Sequence, residues 1–407
     1  MDVIYSEEQK GAIDLCCDLE KRIVCVTGQA GTGKTTVLKE AYKALLDAID
    51  YDEEMIVLAA PTGRAAKRIE EVSGIEAKTI HRLLRYTTPE NDEDQTLPKH
   101  DKLNPLPHKV ILIDEASMID TVLWRGLIDA MNRGTIIRFF GDINQLPPVA
   151  NDSKSPFAVA LRKFPNSILT TNYRSDDGII SISDKIIKGR IPTTNEQVKV
   201  FRVVSTDTMY HIRNLANETD FTKMHSQIIA PTQKTKYGCT AINLFIQQNY
   251  NPEKEKLTIY CKNNITGDVE VRSFKRGDKV LWTKNNYDLG IMNGTLGIVQ
   301  GFDKEEGSIQ VTFDGEDFLI PSSILGYNPT TQERYRYDPR QSLMLGYAIT
   351  THKSQGSQFR TVLYVLTKSR AATRQNLYTA VTRAQRELVV LNVGGALMHA
   401  LNAKVEV

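Results

Sequence analysis

The chain has 407 residues, 41% hydrophobic and 25% charged, with a net charge of only +2. That length exceeds one core of ~100 to 200 residues, so two or three domains are expected, and no apolar run approaches the ~18 residues of a membrane span. Near-neutrality excludes a generally basic surface, so basic groups that meet a polyanion must be local and line a groove. The five cysteines (Cys16, Cys17, Cys25, Cys239, Cys261) are odd in number and lack paired metal spacing. They fit reduced thiols in a cytosol and argue against a cysteine-built metal site. The N-terminal MDVIYSEEQK has no signal-peptide pattern, so a soluble cytoplasmic protein (bacterial or phage-infected host cytosol) with no membrane partner is expected.

In chain order, apolar β-branched runs alternate with helix-period segments. RIVCVTG (22 to 28), MIVLAA (55 to 60), KVILID (109 to 114) and TIIRFFG (135 to 141) read as strands, the first three each followed by a helix. This is the pattern of a parallel sheet with crossover helices. Residues 86 to 107, polar, acidic and rich in proline, interrupt it as an excursion or a surface loop. Alternation resumes at NSILTTNYR (166 to 174) and QIIAPT (227 to 232). From about 268 to 335 short β runs between Gly and Asp turns suggest a small barrel inserted in a second α/β domain. The α/β pattern returns at LGYAITT, TVLYVLT and ELVVLNV.

GQAGTGKTT, Gly28 to Thr36, satisfies the phosphate-loop pattern between a strand and a helix. Its glycines let backbone N–H groups face phosphates, Lys34 reaches the β and γ oxygens, and Thr35 ligates Mg2+ at the helix start. VILIDEASM places Asp114 and Glu115 at a strand end, one carboxylate to hold magnesium and the next to orient or deprotonate water, which favours hydrolysis over storage. Charge developing on a transferred phosphoryl group also wants a rigid cation, and Arg174 and Arg383 are the candidates.

The chain also repeats itself. VLAAPTGRAAKRI precedes AKTIHRLL, and QIIAPTQKTKYG precedes AITTHKSQG, so APT followed by Thr, His and a basic residue occurs twice. That order suggests a duplicated core with one polar track suited to the phosphates of a nucleic-acid strand.

These segments together resemble superfamily 1 helicase motifs, in the pattern of the RecD-like branch: SEEQKGAI, GQAGTGKT, APTGRAAK, KTIHRLL, IDEASM, GDINQLPPV, TTNYRS, IIAPTQK, TKNNYDLGIMNGTLGIV, TTHKSQGSQF and YTAVTRAQ. The resemblance spans nearly the whole chain. It implies an α/β fold of two tandem RecA-like parallel-sheet domains with a small inserted SH3-like β-barrel and a short pin-like insertion. The implied segments are 1–165 for the first motor domain with the pin at 86–107, 166–267 and 339–407 for the second, and 268–338 for the barrel. The pin segment is acidic, with Glu90, Asp92, Glu93 and Asp94 and no evident aromatic wedge.

Carried over, the resemblance implies that Gln9 reads the adenine edge and Tyr173 stacks near the base. ATP would be held by Gly28, Gly31, Thr32, Gly33, Lys34, Thr35, Thr36 and Gly356, and Mg2+ by Thr35 and Asp114. Glu115 would activate water, and Gln145, Arg174 and Arg383 would sense the γ-phosphate. Pro61, Thr62, Thr79, His81, Pro147, Val149, Thr232, Thr351, His352 and Lys353 would line a single-strand track. The implied function is an ATP-dependent DNA helicase, 5′ to 3′, acting as a monomer on single-stranded DNA and single-strand/duplex junctions. A non-unwinding translocase that displaces bound proteins uses the same site. A P-loop kinase or switch explains the phosphate loop but leaves the duplicated elements idle.

Overall fold

The computed structural model describes residues 5–49, 53–86, 98–148, 155–173, 177–262, 268–286, 289–328 and 333–403. They form two compact units, one running to Ile180 and the other from Ser181 to Ala403. The first contains α1 (Glu7–Cys17), β1 (Ile23–Gly28), α2 (Lys34–Ile49), β2 (Ile56–Ala60), α3 (Gly63–Ser73), β3 (Ala77–Thr79) and α4 (Ile80–Leu83). It continues with β4 (Val110–Ile113), α5 (Thr121–Asp129), β5 (Ile136–Gly141), α6 (Pro156–Lys163), β6 (Asn166–Leu169) and the start of α7 (Asp177–Ile187).

Its six strands are ordered β3-β2-β4-β5-β1-β6, all parallel. The apolar runs are continuous because both faces of the sheet are covered, and successive side chains point to opposite sides. Val24, Val26, Leu58, Leu112 and Phe140 pack with α1, α2 and α3. The alternate residues Cys25, Val57, Ile111, Ile113 and Phe139 pack with α4, α5 and α6. Truncating a buried ring such as Phe140 to alanine would cost about 3–5 kcal/mol.

The second unit holds β7 (Val198–Val203), α8 (Thr208–Glu218), β8 (Ser226–Ala230), α9 (Cys239–Tyr250), β9 (Lys256–Lys262), β10 (Val269–Lys275) and β11 (Lys279–Trp282). After these come β12 (Leu296–Asp303), β13 (Ser308–Phe313), β14 (Glu316–Ile320), β15 (Ile324–Asn328), β16 (Glu333–Tyr337) and β17 (Leu343–Leu345). The unit closes with β18 (Ala348–Thr350), β19 (Phe359–Leu366), α10 (Arg374–Val381), β20 (Ala384–Val393) and α11 (Ala396–Asn402). A second parallel sheet runs β18-β8-β19-β20-β7. An antiparallel sheet β14-β13-β12-β11-β17 and the hairpins β9-β10 and β15-β16 account for the β-rich stretch.

Asp278 ties this stretch to the second parallel sheet. Its enclosed carboxylate accepts from Lys275 N at 2.7 Å, Gln247 Nε2 at 2.5 Å and Asn251 Nδ2 at 2.6 Å. The Tyr347 hydroxyl donates to it at 2.8 Å.

Two expected boundaries are corrected. The division at 165/166 falls too early, because β6 pairs with β1 and completes the first sheet. Its sequence, NSILTT, reads as a strand but carries no sign of which sheet it joins. The insertion expected at 268–338 begins with β9 at Lys256, whose partner is β10, and β17 pairs with β11 beyond its expected end. Of the 86–107 segment, residues 87–97 lie outside the described residues; Tyr86 and Pro98 form an antiparallel bridge at its base.

Candidate nucleotide and nucleic-acid site

The phosphate loop joins β1 to α2 with Gly31 and Gly33 at φ 89° and 81°, a region L side chains rarely adopt. A Cβ on Gly33 would stand 2.5 Å from Gln9 Nε2, and one on Gly28 would stand 2.5 Å from Thr32 Oγ1 and 2.8 Å from Leu169 O. These positions therefore exclude a side chain. Thr32 Oγ1 donates to Gln29 O at 2.9 Å. Lys34 Nζ folds over the loop and donates to Gly28 O and Gln29 O at 2.8 and 2.9 Å, so its charge sits where a phosphate would be cradled. Thr36 is half-buried in the first turn of α2.

Strands β4, β5 and β1 are neighbours, so the segments leaving their C-terminal ends converge, the position where open parallel sheets bind ligands. Asp114, just past β4, accepts from Thr35 Oγ1 at 3.0 Å and from Glu115 N at 2.8 Å. Burial, and then the Glu115 charge, push its carboxyl above the usual carboxylate range, while Lys34 opposes them. Glu115 has a left-handed backbone, φ 53°, unusual for a residue other than glycine. Its Oε2 is enclosed with no hydrogen-bond partner among the described residues, as is Gln145 Oε1 in the segment after β5. Strain of this kind costs about 1–3 kcal/mol, and each orphaned buried group about 1–3 kcal/mol. The cluster is unfavourable by itself and has the polar oxygens that a hydrated divalent cation and an attacking water use.

The N-terminus of α1 closes the other side of the loop. Ser6 and Gln9 form a reciprocal capping box, with Ser6 N donating to Gln9 Oε1 at 3.1 Å and Gln9 N to Ser6 Oγ at 3.2 Å. Gln9 Nε2 is thereby aimed at Gly33. Tyr173 N donates to Gly31 O at 2.9 Å and Asn172 Nδ2 to Ala30 O at 2.7 Å. The Tyr173 side chain remains 48% exposed, available for a ring to stack on. Gln9, the loop and Tyr173 are thus brought together; Arg174 lies outside the described residues.

The repeated polar elements occupy equivalent sheet edges. In the first sheet Ala60 pairs with Thr79, and in the second Ala230 pairs with Thr350. Thr79 Oγ1 accepts from Arg82 N at 3.1 Å, and Thr350 Oγ1 accepts from Lys353 N at 3.3 Å. His81 and His352 each follow two residues after the matching threonine. Thr62 caps α3, accepting from Ala65 N at 3.3 Å, whereas Thr232 shares a 2.6 Å hydrogen bond with Thr235.

One expectation changes here. Thr351 is fully enclosed and its hydroxyl donates to Asn376 Oδ1 at 2.8 Å, so it cannot line a track in this conformation. The register makes Thr350 the counterpart of Thr79. Two adjacent threonines look alike in a sequence, and strand pairing distinguishes them. His81 is exposed and His352 half-buried, and burial lowers the affinity of His352 for a proton. Lys353 Nζ lies 3.5 Å from Met344 Sδ, and burial likewise lowers its pKa. Pro61 and Pro147 are half-buried; Val149 lies outside the described residues.

Gly356 takes φ 74° in the turn after His352. The neighbouring Ser357 O accepts from Arg383 Nη1 at 3.2 Å. Arg383 Nε donates to Thr379 O at 3.0 Å and Nη2 to Thr382 Oγ1 at 3.1 Å, leaving the residue only 2% exposed. This arginine therefore braces the turn carrying Gly356.

Sequence reasoning missed three residues that organise the site: Glu8, Asn172 and Arg138. The first two stand beside Gln9 and Tyr173 and carry no separate signal. Arg138 did carry one, as a lone charge inside the apolar strand TIIRFFG.

Residues 9–151 match a family model described as an AAA domain. Residues 242–313 match that of the ATP-dependent RecD-like DNA helicase SH3 domain, and 345–391 that of the UvrD-like helicase C-terminal domain. The chain is 32% identical over 390 residues to the ATP-dependent RecD2 DNA helicase of Deinococcus radiodurans, covering 93% of this chain and 48% of that protein. It thus spans about half the length of that relative. It is 26% identical over 437 residues to the RecBCD enzyme subunit RecD of Mycolicibacterium smegmatis, covering 97% of this chain and 72% of that protein. Its fold is shared with a Pif1 helicase solved in work on forked duplex DNA, at 22% identity and a TM-score of 0.62 over 96% of this chain and 92% of that one. The Candida albicans Pif1 helicase gives 20% identity and a TM-score of 0.61 over 98% and 96%.

Proposed function

We propose, on the footing that this chain belongs to the RecD-like branch of the superfamily 1 helicases, that it is an ATP-driven motor that moves along single-stranded DNA and separates duplexes. The observation that carries this reading is the repeated sheet edge, Ala60 against Thr79 and Ala230 against Thr350, each followed by a histidine and a basic residue. A nucleotide switch needs one phosphate-loop sheet. A second sheet ending in the same polar elements suits a motor that grips one strand at two places and alternates that grip with nucleotide state.

In this reading Gln9 and Tyr173 hold the adenine, and Gly28 to Thr36 the phosphates. Thr35 and Asp114 hold Mg2+, which supplies neutralisation of charge on the phosphate oxygens. Their hydroxyl and carboxylate oxygens, 3.0 Å apart, suit a hard cation. Glu115 orients or deprotonates the attacking water, and Gln145, Arg174 and Arg383 answer to the γ-phosphate. Thr62, Thr79, His81, Thr232, Thr350, His352 and Lys353 contact the strand. Movement 5′ to 3′ is the polarity the family resemblance implies.

The test is ATP hydrolysis with and without single-stranded DNA, followed by unwinding of duplexes with a 5′ or a 3′ single-stranded tail. Strand-stimulated hydrolysis and unwinding of the 5′-tailed duplex alone are expected. Hydrolysis indifferent to the strand would sink the motor reading. Stimulation without unwinding would favour a translocase that displaces bound proteins.

A further inference from the structure

Helix α1 is held at both ends by side chains that the proposed hydrolytic chemistry does not use. At its C-terminal end the wholly buried Arg138 of β5 donates to Cys16 O at 2.6 Å, Asp18 O at 2.8 Å and Lys21 O at 2.8 Å. At its N-terminal end the Glu8 carboxylate accepts from Thr170 N at 2.8 Å and Thr171 N at 3.1 Å through Oε2. Through Oε1 it accepts from the Thr170 hydroxyl. Three donors on one carboxylate define the position of the segment leaving β6, because charge-assisted bonds from backbone N–H groups leave little angular freedom. That segment continues into Asn172 and Tyr173, which bond to Ala30 O and Gly31 O of the phosphate loop. Glu8 is therefore the link between the helix carrying Gln9 and the strand exit carrying Tyr173.

We propose that Glu8 is a positioning residue that sets the spacing of Gln9 and Tyr173 around the nucleobase and so governs discrimination for adenine. This deepens the reading in which Gln9 and Tyr173 hold the base. Without the link the phosphate loop still holds the triphosphate through Lys34 and Thr35, so turnover survives while the preference for one base weakens.

The test is steady-state hydrolysis of ATP and of GTP by the full chain with saturating single-stranded DNA. Glu8→Gln keeps the shape and an acceptor for both backbone N–H groups, but removes the negative charge that strengthens those bonds and turns an amide NH2 toward the Thr170 hydroxyl. It is expected to raise the KM for ATP roughly five- to tenfold, leave kcat within about twofold, and lower the ATP-to-GTP ratio of kcat/KM by a similar factor. Thr170→Val, which removes only the hydroxyl, should lower the ratio less, and adding it to Glu8→Gln should produce no further loss. A merely structural role would lower kcat and melting temperature and leave the ratio unchanged; that result overturns the proposal. Gln9→Ala separates the two layers. If the ratio falls in Gln9→Ala but holds in Glu8→Gln, the role of Glu8 is wrong. If it holds in both, the base-site reading fails and the proposal with it.

Discussion

Thr35 Oγ1 donates to Asp114 Oδ2 across 3.0 Å, joining the first turn of α2 to the end of β4 at the centre of the first sheet. The bond holds the two oxygens close, yet the Asp114 carboxyl stays above the usual carboxylate range because burial and Glu115 outweigh Lys34. A carboxyl whose folded pKa lies above its unfolded value near ~3.9 contributes stability when protonated. That contribution is complete below the unfolded value and is lost as pH rises through the folded one. Above the unfolded value, rising pH therefore makes the buried Asp114 carboxyl an increasing cost to the fold.

Asp114→Asn should therefore stabilise the metal-free, nucleotide-free protein while abolishing hydrolysis. Relief of about 1 kcal/mol corresponds to a melting temperature roughly 2–4 °C higher for a unit of this size. The gain should be present at pH 7.5 and shrink toward pH 4. Thermal melts across that range check it, and an equal gain at both ends would show that charge is not the cause.

Lys34→Ala removes the cation lying over the loop while leaving a helix start that alanine tolerates. Hydrolysis should fall by at least about a hundredfold, the scale of losing one donor to developing charge. Binding of single-stranded DNA without nucleotide, followed by fluorescence anisotropy, should persist. Loss of both would place Lys34 in the fold and remove it from the chemistry.

Arg383 braces the Gly356 turn through Ser357 O and Thr379 O while being proposed to answer to the γ-phosphate. Arg383→Ala should lower kcat by roughly a thousandfold with a much smaller change in KM. It should also cost about 2 kcal/mol of stability through the orphaned carbonyls. Arg383→Lys is the informative companion, because it should regain part of the stability and little of the turnover. Parallel recovery of both would argue against a transition-state role.

Asp278→Ala leaves four donors from Lys275, Gln247, Asn251 and Tyr347 without their acceptor. Unfolding of the second unit should be easier by about 3 kcal/mol, read by denaturant titration. Nucleotide binding by the first unit, followed with a fluorescent ATP analogue, should be unchanged. A coincident loss of nucleotide binding would show that the Asp278 network acts beyond the second unit.

The first sheet was legible because a strand covered on both faces must be apolar at every position, so RIVCVTG, MIVLAA, KVILID and TIIRFFG stand out. The phosphate loop and the acidic pair were legible because their chemistry depends on residue type at short spacing: glycines at Gly31 and Gly33, the cation Lys34, and carboxylates at Asp114 and Glu115. The duplicated APT and histidine elements were visible as repetition. The sheet that β6 joins was not visible, because pairing with β1 is a contact between distant segments and NSIL would suit either sheet. Arg138 stood out as a lone charge, but the carbonyls of Cys16, Asp18 and Lys21 that it holds lie more than a hundred residues away in sequence.

By itself, then, the sequence determined which segments are strands, where the glycine-rich loop with its lysine and the acidic pair fall, and that a polar element occurs twice. Those properties follow from residue type and local spacing. Only the tertiary structure decided that Thr350, rather than Thr351, matches Thr79, that Glu8 links Gln9 to Tyr173, and that Arg383 is enclosed by carbonyls. The physical reason is that register, burial and hydrogen-bond partnership are relations between segments far apart in the chain. A one-residue shift along a strand turns a side chain from one face of the sheet to the other without changing the composition of the segment.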